Sequence, residues 1–308
     1  MTTFNIIFPL IFVVAAGYNC ARSGFMSRSQ IEGLSRLTFS LIMPVFLFIN
    51  MATADLAAVF DLKVFASFYI PVFSVYLLSI GYHYYFDSQK PKQLSPAAVF
   101  GLTTGYSNMV LVGMPIVMAA LGQQVIGSVF LLISFHGVLL FGSTIILSAI
   151  STGKDFSLWQ TMKDVCSNPV VGSIWIGLLV NFIGIQLPQI IIDSLRFFSK
   201  PGITLALFVL GTSLHFYSVK GKLGRIGAVT AIKLLLTPAI VWYFAHTLFA
   251  LEPILVNMAV LLSASPTGIN AYLIATQQRC HEALVASTVV VSTFMCMFSF
   301  SFWLWLLL

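Results

Sequence analysis

Charge is what this sequence has least of: 8% of its 308 residues are charged and 59% are hydrophobic, where a soluble domain carries about a quarter charged. That shortage excludes a soluble fold, which could not hide so much apolar surface. It leaves a bilayer as the solvent, because a span needs only about 20 mostly apolar residues. With a mean hydropathy of +0.99 the chain reads as one membrane domain without room for a separate soluble one. Long basic runs are also missing, so the net charge of +6 does not form the clustered footprint of a nucleic-acid binder. Cys20, Cys166, Cys280 and Cys296 are scattered without paired spacing, which excludes a disulfide framework or a cysteine metal site. No phosphate-cradling glycine loop, nucleophile elbow or zinc-binding spacing occurs. Neither an enzyme, a bound cofactor nor an ATP-driven pump is expected of this chain.

What is present is a series of apolar stretches: 4–21, 32–53, 64–86, 96–121 and 125–151, then 169–184, 189–217, 226–250, 253–276 and 283–308. The stretch from Phe4 has no basic region before it and reads as a first span, not a cleaved leader. The positive charges test the count. Arg22, Arg28, Arg36, Lys90, Lys92, Lys154, Lys163, Lys220, Lys222, Arg225 and Arg279 all fall on one side of a ten-span arrangement, and Lys63, Arg196 and Lys200 on the other. By the positive-inside rule both termini face outside. Shifting the chain by 160 residues lays Pro9 on Pro169, Gly17 on Gly177, Gly24 on Gly184, Arg36 on Arg196 and Phe48 on Phe208. An odd number of spans per half turns the second half upside down, the inverted repeat of many transporters. The expected organisation is a first five-helix repeat at 1–151, a cytoplasmic linker at 152–168 and an inverted second repeat at 169–308.

The fourth span of each half carries the features with chemical content. One contains Gly105 and the run Tyr106 to Pro115, YSNMVLVGMP; the other contains Ser263 to Asn270, SASPTGIN. Pro115 and Pro266 lack a backbone N–H, which frees the carbonyls of Leu111 and Leu262, and Gly113 and Gly268 make extended backbone cheap nearby. In lipid such freed groups need a protein partner or a watery cavity. A lone kink is commonly a packing device, but two paired breaks carrying Ser107, Asn108, Ser265, Thr267 and Asn270 point to a substrate site. Ser107 or Asn108 is placed to cap the helix after the first break, and Ser265 one opening at Pro266. Amide and helix-end donors suit a carboxylate.

The nine acids, Glu32, Asp55, Asp61, Asp87, Asp155, Asp164, Asp193, Glu252 and Glu282, lie in loops or near span ends. Cation pumps usually place carboxylates at mid-membrane, so an anionic cargo fits better. Lys233 is the deepest charge and has two readings: a functional intramembrane cation, or a long stem snorkelling to the surface near Arg225. His136 reads either as a proton relay or as a packed core histidine. The many Phe residues read as lipid-facing filler, and Trp303 and Trp305 as an interfacial belt.

Several stretches together resemble the auxin efflux carrier family, whose bacterial members include chains assigned as malonate and other organic-anion permeases. These are Gly17 to Phe25, the segment LSRLTFSLIMP from Leu34 to Pro44, SNMVLVGMP, LFVLGTSL from Leu207 to Leu214, and SASPTGINAYLIA. The resemblance implies an all-α polytopic fold of ten transmembrane helices in two inverted five-helix repeats, similar to bile-acid symporters and sodium/proton antiporters, with spans 4 and 9 broken where they cross. It implies a substrate carboxylate near Asn108, Pro115, Pro266 and Asn270. Met109 departs from the small residue many members carry there, which bears on pocket size. The short loop between spans 5 and 6 is similar to the bacterial branch and lacks the plant carriers' regulatory loop. The expected activity is secondary transport of a small organic anion by alternating access in a bacterial inner membrane. A co-transported proton or sodium ion is a candidate partner, with the Leu111 and Leu262 carbonyls as sodium ligands, and so is a second copy of the chain in a homodimer. The competing readings are a sodium-coupled organic-anion symporter and a membrane receptor that keeps the transporter fold.

Overall fold

The computed structural model describes residues 3–54, 61–86, 93–152, 169–216, 219 and 221–308. Asp55, Asp87, Asp155, Asp164, Cys166, Lys90, Lys92, Lys154, Lys163 and Lys220, with nearly all of the expected linker 152–168, lie outside the described residues. The described chain is all-helical apart from one isolated bridge. Its helices are α1 (Thr3–Arg22), α2 (Arg28–Ala52), α3 (Leu62–Phe86), α4 (Leu94–Gly105), α5 (Met109–Leu121), α6 (Gln123–Ser151), α7 (Pro169–Ile183), α8 (Gln189–Phe216), α9 (Leu223–Leu248), α10 (Pro253–Ser263), α11 (Asn270–Gln277) and α12 (Glu282–Leu307). Among them α2, α3, α6, α8, α9 and α12 are long and apolar enough to cross a membrane, and shorter apolar helices accompany them. The protein is a polytopic integral membrane protein.

Local chemistry sets the boundaries. Ser27 and Gln30 form a reciprocal capping box that starts α2. Gly122 and Gly184, both at φ 77, close α5 and α7 in a conformation that costs glycine least. Three prolines inside apolar helices share one solution. Pro44, Pro115 and Pro238 each follow a five-residue π-helical stretch, Thr38–Ile42, Met109–Gly113 and Ile232–Leu236. A proline removes one i→i−4 bond and crowds the carbonyl four residues back; widening the preceding turn relieves both without ending the helix. Pro115 therefore does not break its span, contrary to the expectation. The interruption lies upstream at 106–108, and Pro115 sits in the first regular α-helical turn after the π-helical start of α5. Pro266 does lie in a gap, between α10 and α11.

Close helix approaches repeat at the spacing of 160 residues. α1 packs on the second half of α8, and α7 on the second half of α2. A Cβ added to Gly17 would lie 2.2 Å from the Phe208 carbonyl oxygen, and one on Gly177 would lie 2.7 Å from that of Phe48. The same two hypothetical atoms fall 3.1 Å from the Thr212 nitrogen and 3.3 Å from the Ala52 nitrogen. Only glycine permits backbones to meet so closely within an apolar environment, where small residues set helix–helix packing.

The aromatic residues divide between core and surface. Phe8, Phe12, Phe182, Phe197 and Phe298 face outward as expected, but Phe68, Phe130 and Phe300 are buried in the core. Trp305 is exposed, whereas Trp303 is buried and its Nε1 donates to the Leu234 carbonyl at 3.0 Å. The belt reading of Trp303 is thus corrected: its indole serves the widened backbone of α9, whose carbonyls lose regular partners in the π-helical stretch.

Candidate functional site

The α4–α5 and α10–α11 interruptions meet in the interior. Tyr106 is extended, at φ −79 and ψ 121, and Asn108 lies at φ −78 and ψ 63. Ser107 and Thr267 form an antiparallel bridge. The Asn108 N–H donates to the Pro266 carbonyl at 2.8 Å, and the Gly268 N–H donates to the Tyr106 carbonyl at 3.1 Å. Each broken helix thereby satisfies backbone groups of the other, which matters where an unmet group costs several kcal/mol. The flanking helices complete the exchange. His136 on α6 accepts the Ser107 N–H on Nε2 at 2.9 Å, and Ser292 on α12 accepts the Thr267 N–H on Oγ at 3.1 Å.

Close approach requires glycine at two positions. Gly113 is helical, and a Cβ there would sit 2.3 Å from Ser265 Oγ. One at Gly268, which lies outside the helices beside the Ser107–Thr267 bridge, would sit 2.3 Å from the Tyr106 ring. At Gly113 the expectation of extended geometry is replaced by one of clearance. The expected side-chain caps are also absent: neither Asn108 at the start of the Met109–Gly113 turn nor Ile269 ahead of α11 makes a side-chain cap bond.

Ser107 Oγ, Asn108 Nδ2, His136 Nδ1 and Ser265 Oγ are buried without a hydrogen-bond partner. Buried polar groups are nearly always paired, so a cluster of orphans at one junction is informative. A cavity of about 380 Å³ opens beside it, lined by Ser107, Asn108, His136, Tyr106, Gly268 and Asn270 among others. Its walls are apolar, with Phe39, Ile133, Ile174 and Leu210, and Ser35, Ser40 and Ser213 extend it along α2 and α8. The Asn270 side chain lies beside the Tyr106 hydroxyl, and the Tyr106 ring stacks on His136 at 4.9 Å and 20°. Because Nε2 of His136 accepts, the neutral ring carries its proton on Nδ1, a buried donor left without a partner beside the cavity.

The residues singled out in the sequence separate into two groups. Ser107, Asn108, Gly268 and Asn270 line the cavity, as does His136. Gly113, Pro115, Ser265, Pro266 and Thr267 sit behind it in the packing of the junction, and Thr267 Oγ1 donates to the Thr103 carbonyl at 2.9 Å. The Leu262 carbonyl already accepts the Ser265 N–H at 3.3 Å. Tyr106 stands in the span 4 motif, and Ser35, Ser40 and Ser213 stand in the resembling segments Leu34–Pro44 and Leu207–Leu214, without a role assigned there.

Lys233 does not snorkel. It is wholly buried, and its Nζ donates to the Ser263 carbonyl at 2.7 Å. Among the described acids Glu32, Asp193, Glu252 and Glu282 are exposed and Asp61 is half-buried, so no described carboxylate faces this ammonium in the interior. The structure also joins His83 and His281, whose ring centroids lie 4.7 Å apart, at a separate groove that shares no lining residue with the crossover cavity.

Comparison with known proteins adds lineage. The family described as "Membrane transport protein" matches residues 2–150 and 152–304. A protein of Rhizobium meliloti (strain 1021) named "Putative malonate transporter" is 22% identical over 204 residues, 65% of this chain and 64% of its own length. An "Uncharacterized transporter" of Methanothermobacter thermautotrophicus is 22% identical over 302 residues, 96% of each chain. "Auxin efflux carrier component 2" of Oryza sativa subsp. japonica is 28% identical over 144 residues, 43% of this chain and 22% of that one.

Proposed function

The chain belongs to the membrane transport protein family, with auxin efflux carriers among its relatives, and from that premise we propose that it is a secondary carrier for a small organic anion, a carboxylate, working by alternating access around the crossed helices. The observation that carries this reading is the cluster of orphaned neutral donors, Ser107 Oγ, Asn108 Nδ2 and His136 Nδ1, buried at the crossover on residues that line a 380 Å³ cavity. Amide, hydroxyl and imidazole N–H donors complement carboxylate oxygens without the strong fixed charge that would hold an anion too tightly to release. The name of the Rhizobium meliloti relative makes malonate the first candidate.

In this reading α4–α5 and α10–α11 each count as one span, which makes ten, and the halves 1–151 and 169–308 form an inverted repeat joined by the linker 152–168. Two contact sets at the same 160-residue spacing support it: the glycine approaches of Gly17 and Gly177, and the reciprocal Asn108–Pro266 and Gly268–Tyr106 bonds. With both termini outside a bacterial inner membrane, the cavity lining runs from the crossover toward Ser35 and Pro169, the side of Arg28 and Arg36. That supports reading the site as open to the cytoplasm. A single negative charge crossing gains about 2.3 kcal/mol per 100 mV, so uncoupled flux from an inside-negative cell runs outward and the carrier is an exporter.

The test is flux of labelled malonate and a panel of monocarboxylates in proteoliposomes under an imposed potential. Asn108→Ala removes a cavity donor without touching the bridge backbone, and flux is expected to fall about tenfold or more, the loss of about 1.4 kcal/mol in the rate-limiting step. Undiminished flux in a folded Asn108→Ala protein refutes the site.

A further inference from the structure

Lys233 is the one Lys, Arg, Asp or Glu side chain buried among the described residues, and its partner is a backbone carbonyl, not a carboxylate. Burying a charge is costly unless the surroundings stabilise it specifically. Here the stabilising group is the open end of α10. Helix C-termini present unpaired carbonyls and a partial negative charge, and α10 ends in the interior at Ser263. The Val260 carbonyl accepts the Ala264 N–H, the Leu262 carbonyl accepts the Ser265 N–H, and the Ser263 carbonyl takes the Lys233 ammonium.

The corresponding end of α4 is treated differently. Thr103 precedes Ser263 by the same 160 residues, and its carbonyl is capped by a neutral hydroxyl, Thr267 Oγ1. Of two comparable helix ends, one is closed by a hydroxyl and the other by a lysine amine. The device that aims this charge is built into α9: the widened turn Ile232–Leu236 ahead of Pro238 carries Lys233, and Trp303 secures the Leu234 carbonyl beside it. Half-helix C-termini and unwound carbonyls are where transporters coordinate a coupling sodium ion.

We propose that the Lys233 ammonium is a built-in counter-cation that occupies the place of a coupling ion at the C-terminus of α10, so that the carrier's cycle needs no sodium. This rests on reading the crossover as the transport site, and it names how that site is kept electrostatically balanced: the tethered cation offsets the α10 carbonyl end, and the cargo anion arrives alone.

The experiment reads thermal stability of purified protein in sodium chloride against equal choline chloride, for wild type, Lys233→Ala, Lys233→Gln and Lys233→Arg. Wild type and Lys233→Arg are expected to show no sodium-specific shift. Lys233→Ala and Lys233→Gln should melt lower in choline and recover by about 4 °C or more as sodium saturates the vacated end of α10 at the Ser263 carbonyl. The glutamine variant keeps a donor for the Ser263 carbonyl without the charge; if it matches wild type in both salts, Lys233 is only a hydrogen-bond cap and the proposal fails. A sodium-specific shift in wild type, or none in both neutral variants, also overturns it. Should a neutral variant not survive extraction, the wild-type comparison still decides, since a sodium response there contradicts an occupied site. No cargo is needed, so a failed malonate assay and a failed counter-cation are told apart.

Discussion

At the scale of single residues, environment decides what each chemical group does. His136 was one more histidine in an apolar helix, and two readings of it were open. It accepts a backbone N–H from a broken helix, its other nitrogen is buried without a partner, and its ring lines the crossover cavity. Whether it also relays protons is a separate matter that its hydrogen bonds do not require. Cys280, in the turn between α11 and α12, shows the same dependence on surroundings. Burial pushes its thiol up to about 11; the Glu282 charge acts in the same direction and the Ser95 hydroxyl in the opposite one. Since the thiolate is the nucleophile, a variant retaining only Cys280 should react slowly with a maleimide near neutral pH and faster as pH rises toward 11. Stopped-flow alkylation across pH checks this, and fast labelling at neutral pH contradicts it.

Among elements, the informative events are close approaches and widened turns. Apolar runs located the helices because such stretches in a membrane protein report their own solvent, residue by residue. The interruptions were found within a few residues, yet the agent in the first was misassigned: Pro115 reads as a breaker in one dimension, whereas a π-helical turn absorbs it. The glycine at 17 was seen only as half of a repeat pair, and its contact with the Phe208 carbonyl shows why a side chain is excluded. Gly17→Ala should cost about 1–3 kcal/mol, the range for overpacking, because the obstacle is backbone on α8. Gly142→Ala, where nothing lies within 4 Å, should be neutral or slightly stabilising through helix propensity. Thermal unfolding in detergent compares the two, and equal effects would contradict the packing argument.

For the whole molecule, the charge pattern and the crossover combine into an orientation. The side bearing Arg22, Arg28, Lys222, Arg225 and Arg279 is expected to face the cytoplasm. Single cysteines placed at Gly122 and at Lys222, in a background without the native four, provide the check with a membrane-impermeant maleimide on intact cells. Gly122→Cys should label at once and Lys222→Cys only after permeabilisation; the reverse pattern inverts the topology and with it the side on which the cavity opens. Composition alone determined that this chain lives in a bilayer, and its scarce acids, uneven basic residues and paired motifs determined the number and polarity of the spans to be expected and where backbone would be irregular. These are properties each residue carries wherever the rest of the chain goes. Only tertiary structure decided that Asn108 meets Pro266, that His136 closes the first break, that Trp303 turns inward and that Lys233 ends on the Ser263 carbonyl. Those pairings join residues 29 to 158 positions apart in sequence, and their register follows from which helix faces pack together, a choice that hydropathy, being nearly uniform around these helices, does not encode.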